Sequence, residues 1–290
     1  MTAPRAAAST RPDLTFVQLT DTHVLAEGEL MHGVVDTAAN LRAALAMLEK
    51  SGQPVSALLL TGDLTDDGRP AAYRRLRELV EPAARRIGAE VLYAMGNHDE
   101  RAAFRSELLR EEPSADACDA VRTVGGMRVV LLDSTEPGRH DGHLSAAQLD
   151  WLADVLARPA PLGTILVCHH PPLPSPVPTV HLLRLRGAER LARVIEGSDV
   201  RMVVSGHAHH AAAGALSGVP VWVGPALAYG VAGFPPRGRL RAAAEAAFSR
   251  IDVFGGRVVA TAVPVPSAAG VYDVAAADRI RMIENVVGAW

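Results

Sequence analysis

Gly96-Asn97-His98-Asp99 follows directly on the apolar run Val91-Leu92-Tyr93-Ala94-Met95, and the reading of that junction decides the fold. The run has the character of a buried strand, and the glycine turn after it throws three polar side chains to one edge of a sheet. An asparagine and a histidine side by side at the end of a hydrophobic strand add nothing to a core. Four other runs end in the same way. Phe16-Val17-Gln18-Leu19 leads to Asp21-Thr22-His23, and Ala57-Leu58-Leu59-Leu60 leads to Gly62-Asp63. Ile165-Leu166-Val167 leads to His169-His170, and Met202-Val203-Val204 leads to Gly206-His207-Ala208-His209. Five strands thus deliver carboxylate, amide or imidazole groups at their C-terminal ends, where open α/β sheets bind their ligands.

Helical patterns separate the first three of these strands. Residues 37–50 carry the stripe Leu41, Leu45, Leu48, with Asp36 placed to cap the start and Gly52 just past the end. A second helix starts at Pro70, a residue suited to the first turn, and Pro82 is expected to kink or end it. Residues 100–110 are expected to form a polar helix. This β-α-β-α-β alternation implies a sheet covered by helices. The pattern then changes to a hairpin, residues 120–124 and 128–133 around Gly125-Gly126. Ser145 and Gln148 form a capping box for a helix through Leu156, and the prolines of residues 169–178 deny that stretch regular structure. A helix over 185–195 follows, then strands at 200–205 and 218–223 and a hairpin of 247–254 with 257–263. The expectation is a single domain over 14–265 built of two mixed sheets face to face, with a flexible arm at 1–13 and a motif-free tail at 266–290.

With 290 residues, 49% of them hydrophobic, the chain can bury a large core. A net charge of −3, with Lys50 the single lysine, argues against binding long nucleic acids through their phosphates. Cys118 and Cys168 have no disulfide-like spacing, and no apolar run approaches bilayer length or forms a secretory leader. A cytoplasmic protein without a transmembrane segment is expected. The apolar residues between Val219 and Val231 look exposed and suggest a homodimer surface.

The polar strand ends together comprise Asp21, His23, Asp63, Asn97, His98, His169, His207 and His209. A set of oxygen and imidazole donors without thiolate suits Mn, Fe, Zn or Co ions. Eight donors exceed the three that an open catalytic zinc takes, and are right for two ions sharing a carboxylate. Ions ~3.5–4 Å apart in such a site clamp the attacking and leaving oxygens of an in-line displacement, with a bridging hydroxide as nucleophile.

In this order, Asp21-x-His23, Gly62-Asp63, Gly96-Asn97-His98-Asp99, His169 and Gly206-His207-x-His209 resemble the calcineurin-like metallophosphoesterases, and more narrowly the bacterial class III cyclic nucleotide phosphodiesterases of actinobacteria. Any one of these short pieces is common, but the full set in sequence is specific. The resemblance implies an α+β fold, a four-layer αββα sandwich of two mixed sheets flanked by helices. It implies that Asp21, His23 and His209 hold a first metal, that Asp63 bridges, and that Asn97, His169 and His207 hold the second. Manganese and iron are the metals it favours, with zinc or cobalt as alternatives. His98 would stand beside the phosphate as acid or charge stabiliser, with Asp99 orienting it, and His140 would face the phosphate from a separate loop. The substrate implied is a small phosphoester, a 3′,5′- or 2′,3′-cyclic nucleotide. Linear diesters, glycerophosphodiesters and monoesters are alternatives, and an inactive binding scaffold is the reading from another class.

Plainer readings apply elsewhere. His32, His143 and His181 read as surface or satisfied histidines, and Leu30-Met31-His32-Gly33 as an ordinary loop. His170 and His210 read as neighbours of ligands, Asp66 and Asp67 as loop-capping charges, and Cys168 as a small buried hydrophobe.

Overall fold

The computed structural model describes residues 11–265, 275 and 277–281. The compact unit is Asp13–Val265. Of the expected arm and tail, most lies outside the described residues; residues 277–281 are helical.

The first sheet has the order β13-β12-β1-β2-β3, and its strands are β1 (Leu14–Leu19), β2 (Ala57–Thr61), β3 (Glu90–Ala94), β12 (Ala247–Phe254) and β13 (Arg257–Pro264). β1, β2 and β3 run parallel, while β12 pairs antiparallel with both β1 and β13. The second sheet has the order β4-β5-β6-β7-β9-β8, from β4 (Ala120–Val124), β5 (Met127–Leu132), β6 (Thr164–Cys168), β7 (Val200–Ser205), β8 (Ala212–Leu216) and β9 (Val219–Val223). β5, β6, β7 and β9 are parallel, and β4 and β8 are antiparallel edges.

Strand periodicity explains the layers, because alternate side chains face opposite ways. In β1, Phe16 points to the apolar layer between the sheets, with Leu59, Leu92, Met127, Val129, Ile165 and Val204. Val17 and Leu19 point the other way, toward α1 (Thr37–Ser51) and α2 (Pro70–Ile87), meeting Leu41, Leu45, Tyr73 and Leu76. On the far side, Val130, Leu132, Leu166 and Val203 pack against α4 (Ala146–Leu156) and α6 (Ala188–Ile195). This is the expected four-layer sandwich of two mixed sheets between helices. Its parallel strands are buried on both faces, which is why they read as unbroken apolar runs.

Local signals held where the interactions are local. Asp36 accepts from Ala39 N at 2.8 Å, Gly52 closes α1 in a left-handed conformation, and the Ser145–Gln148 capping box is formed. Pro82 does not end its helix. α2 continues to Ile87, because Tyr73, Leu76 and Val80 before the proline and Ala83 and Ala84 after it share one buried face. The expected polar helix is a short α3 (Arg101–Phe104) widening into a π-helical turn over Arg105–Leu109, with Phe104 and Leu108 buried. The proline-rich stretch passes into α5 (Pro178–Leu183), and helix α6 starts only at Ala188, since Leu185 bridges to Gly142 instead.

Most of the segment suggested as a dimer surface is interior. Val219, Val221, Val223, Ala226, Leu227 and Ala228 are buried in the chain's own core, while Trp222, Tyr229 and Val231 are half-buried, so the homodimer expectation loses most of the surface it was built on. Cys118 and Cys168 are both free and buried, and burial pushes the Cys168 thiol up to about 12, as suits an inert packing residue. No helix among the described residues is long and apolar enough to cross a membrane.

Candidate metal centre

The C-terminal ends of β1, β2, β3, β6 and β7 converge on one point, bringing Asp21, His23, Asp63, Asn97, His169, His207 and His209 together. Asp21, His23, Asp63, His207 and His209 all have positive φ, from 40° to 67°. Non-glycine residues rarely adopt this left-handed conformation, and its clustering marks backbone strain held at a site by the surrounding structure. The strands end in sharp turns so that these side chains double back over the sheet edge.

Two glycines allow the turns to pack. A Cβ at Gly96 would stand 2.2 Å from Asp63 N and 2.3 Å from Asp63 Oδ1, and one at Gly206 would stand 2.0 Å from Thr20 Oγ1. Gly96→Ala is therefore expected to cost ~1–3 kcal/mol of stability by overpacking and to displace Asp63. Thermal unfolding with metal analysis of the same preparation checks this; an alanine variant with unchanged melting and full metal content would contradict it.

Two groups of side chains can each hold an ion, their ligand atoms lying within 4.8 Å of one another. Asp21, His23 and His209 form the first, and Asp63, His169 and His207 the second. The imidazole tautomers show what these groups are for. His209 Nδ1 lies 3.0 Å from the Tyr229 carbonyl and His169 Nδ1 2.9 Å from the Thr61 carbonyl, so both must donate. His23 Nδ1 lies 3.0 Å from the Asp66 carboxylate and donates likewise. In the neutral rings the Nε2 atoms then carry lone pairs, and those of His23 and His209 face each other across 3.2 Å. Two lone pairs at that distance repel unless a proton or a metal ion lies between them. His169 Nε2 and Asn97 Oδ1 are buried without a hydrogen-bond partner. Orphaned acceptors turned to a common centre, each histidine oriented from behind, are what a metal site requires.

The electrostatics agree. Burial holds His207 down at about 4 and His209 at about 3, leaving both neutral and able to ligate. Burial also works against charge on His169, but the Asp63 carboxylate 3.3 Å away outweighs it and raises the ring to about 9. Asp21, wholly buried, is raised by desolvation despite His169 and His23 nearby. The buried carboxylates need positive charge beside them, which protonated imidazole or two ions would supply.

Asn97 and His98 come from the turn after β3. Asp63 Oδ1 accepts from His98 N at 2.9 Å, tying that turn to the expected bridging carboxylate. The expectation that Asp99 orients the His98 ring is corrected. Asp99 accepts from Gly96 N, Leu64 N and Thr65 N at 2.9–3.2 Å and from the Tyr73 hydroxyl at 3.0 Å. Its carboxylate, raised to about 6 by burial, thus shapes the turn's backbone. A strand-end turn offers several unpaired N–H groups, and a buried carboxylate satisfies these before a half-exposed ring. His98 Nδ1 is instead held by the Asp66 carbonyl at 2.7 Å, which leaves Nε2 free to face the cleft.

His140 arrives on its separate loop with Nδ1 3.3 Å from Asn97 Nδ2 and its ring 6.0 Å from that of His98. Other residues at the site carried no usable sequence signal. Asp66 supports both His23 and His98, and Met31, His32, Val180, Leu183, Tyr229 and Val231 line the cleft. His32, expected to be a bystander, packs its ring 5.3 Å from Tyr229. His143 and His181 do not line the cleft; His170 is buried against His169 and His207.

The calcineurin-like phosphoesterase family model matches residues 14–211, which contain every strand end described above. The chain is a calcineurin-like phosphoesterase. As a member of this family it is a hydrolase; the family uses a dinuclear metal centre, and the side-chain groups above are candidate ligands for one. It is 45% identical over 225 residues to a cAMP/cGMP dual specificity phosphodiesterase of Mycobacterium tuberculosis, covering 78% of this chain and 71% of the relative. It is 47% identical over 225 residues to a probable cyclic nucleotide phosphodiesterase of Rhodococcus erythropolis, covering 78% and 74%. Among solved structures, a dimetal phosphatase from Danio rerio shares the phosphoesterase fold at a TM-score of 0.62 and 18% identity, covering 88% of this chain and 98% of that one.

Proposed function

We propose that this phosphoesterase hydrolyses cyclic nucleotides at a two-metal centre in which Asp21, His23 and His209 hold one ion, Asn97, His169 and His207 the other, and Asp63 both. The observation that carries the reading is the composition of the cleft, about 410 Å³ in volume. It is lined by His23, Asp63, Asn97, His207 and His209 of the metal-binding set with His98 and His140, and beside them by the apolar or aromatic Met31, Val180, Leu183, Tyr229 and Val231. A phosphate flanked by a nucleoside matches a charged floor beside an apolar wall, whereas inorganic phosphate or a small polar ester would leave the wall unused. The two relatives named for cyclic nucleotide hydrolysis support the same substrate class. The nitrogen and oxygen donors favour manganese and iron, with zinc or cobalt compatible.

Two bound ions would supply positive charge against the phosphoryl group and lower the pKa of water to near neutrality. The residues do the rest. His98, its Nδ1 fixed on the Asp66 carbonyl, presents Nε2 to the cleft, where a proton can pass to the departing ribose oxygen. His140, exposed beside Asn97, offers a second imidazole to the phosphate oxygens. The apolar wall takes the base and sugar and excludes water from that side.

Purified protein with measured metal content, assayed on 3′,5′- and 2′,3′-cyclic nucleotides, linear diesters and monoesters at equal loading, tests the proposal. About two transition ions per chain and the highest kcat/KM on a cyclic nucleotide are expected. A fully loaded preparation that prefers monoesters, or one active with a single ion, would overturn it.

A further inference from the structure

The His140 loop and helix α5 form adjacent walls of the cleft, yet neither belongs to a sheet. Thr179, Val180 and Leu183 of α5 and His140 of the loop all line it. What joins them is one buried carboxylate. Asp141 accepts from Arg139 Nε at 3.0 Å and Nη2 at 2.9 Å, and from Arg186 Nε at 2.9 Å. Arg186 also donates through Nη2 to the Leu182 carbonyl at 2.5 Å, and its backbone N–H donates to the Gly142 carbonyl at 2.8 Å. Gly142 N in turn donates to the Arg184 carbonyl at 3.3 Å. One arginine therefore grips the last turn of α5, the carboxylate next to His140 and the backbone one residue further on.

Beneath this grip the loop is seated on the metal centre. A Cβ at Gly142 would lie 2.4 Å from His170 Cβ, so only glycine lets the loop approach. His170 is fixed through Nδ1 to Ser134 Oγ at 2.8 Å, and the Ser134 carbonyl accepts from His143 N at 2.9 Å. The loop is thus anchored on one side by Ser134 and His170, just past the ends of β5 and β6, and on the other by Arg186 together with the Gly142–Arg184 backbone contact.

We propose that Arg186 is a positioning residue that sets His140 and the α5 wall at the separation a nucleotide requires, coupling phosphate contact to base and sugar contact. The proposal rests on the cyclic nucleotide reading above. The guanidinium suits the task because its planar fork reaches a carboxylate and a carbonyl at once, which an ammonium does not. Its side chain is 44% exposed against 10% for Asp141. An Arg186 substitution should therefore leave the fold intact, whereas one at Asp141 strands two arginines.

The test measures metal content, melting temperature, kcat and KM for wild type, Arg186→Ala, Arg186→Lys, His140→Ala and the Arg186→Ala/His140→Ala double variant. Each is assayed with a 3′,5′-cyclic nucleotide and with bis(p-nitrophenyl) phosphate. For Arg186→Ala, KM for the cyclic nucleotide should rise about tenfold with kcat within about threefold, since displaced contacts rather than lost chemistry are at issue. Methylguanidine should recover part of that KM, and Arg186→Lys should fall between. In the double variant the Arg186 effect should shrink, because the part that runs through His140 is gone while the part that runs through α5 remains. An unchanged KM, an equal KM effect with or without His140, or loss of metal in Arg186→Ala would each overturn the proposal. If the wild type ignores cyclic nucleotides but cleaves the aryl diester, the substrate reading fails. The Arg186–His140 coupling is then decided on the aryl diester alone, by the same criterion.

Discussion

Replacing Asp63 by alanine is expected to empty both metal positions and to reduce hydrolysis by more than the ~10²–10³-fold that loss of one electrostatic contact costs at a reacting centre. Asp63 is buried, with Oδ2 3.3 Å from His169 Nε2 and 3.6 Å from His23 Nε2, one ring from each metal group. Among the described carboxylates only Asp63 reaches both in this way. Its other oxygen accepts from His98 N, so its removal also frees the turn that carries Asn97. Burial works to raise the Asp63 carboxyl, yet His169 and His23 beside it hold it well below the usual carboxylate range. It is therefore charged and ready to ligate at neutral pH. Asn97→Ala should differ, weakening chiefly the second ion while the first stays with Asp21, His23 and His209. Elemental analysis of both variants beside wild type separates the cases. An Asp63→Ala protein retaining two ions, or an Asn97→Ala protein losing both, would refute the assignment of the bridge.

Replacing His98 by alanine is expected to keep both ions and remove ~10²–10⁴-fold of kcat, the usual worth of a positioned proton donor. His98 belongs to neither group that carries the proposed ligands, and its Nδ1 is held by the Asp66 carbonyl. The neighbouring His23, Asp66 and His98 could together accept an ion, but Asp66 already receives the His23 Nδ1–H in that arrangement. If His98 protonates the leaving oxygen, the deficit should be large for a cyclic nucleotide, whose ribose alkoxide departs poorly. It should be small for a p-nitrophenyl ester, whose phenolate leaves unaided. Equal deficits would show that His98 stabilises charge on the phosphoryl group instead, and loss of an ion would make it a ligand.

The apolar wall of the cleft and the support behind His98 are invisible in the sequence for a common reason. Met31, Val180 and Val231 are ordinary apolar residues on three separated segments, and only the fold brings them to one cleft. Asp66 looked like a loop charge because hydrogen bonding to a neighbouring ring depends on loop geometry, which residue type does not encode. At Asp99 the converse holds. Its place next to His98 suggests a ring contact, whereas its carboxylate meets the turn's backbone N–H groups instead. Pro82 likewise shows local preference overruled by burial on both sides of the residue.

The chain's one-dimensional pattern determined the layers and the metal-binding set, because both obey short-range rules. Strand burial repeats at period two, caps act over three residues, and a ligand follows its strand by one to four positions. Tertiary structure alone decided which histidine nitrogen faces the centre, which group holds His98, and how Arg186 ties the His140 loop to α5. Most of those contacts join residues far apart in sequence, such as His98 with Asp66 across 32 positions and His23 with His209 across 186. Their geometry exists only once both sheets have packed and the strand ends have been strained into a common edge.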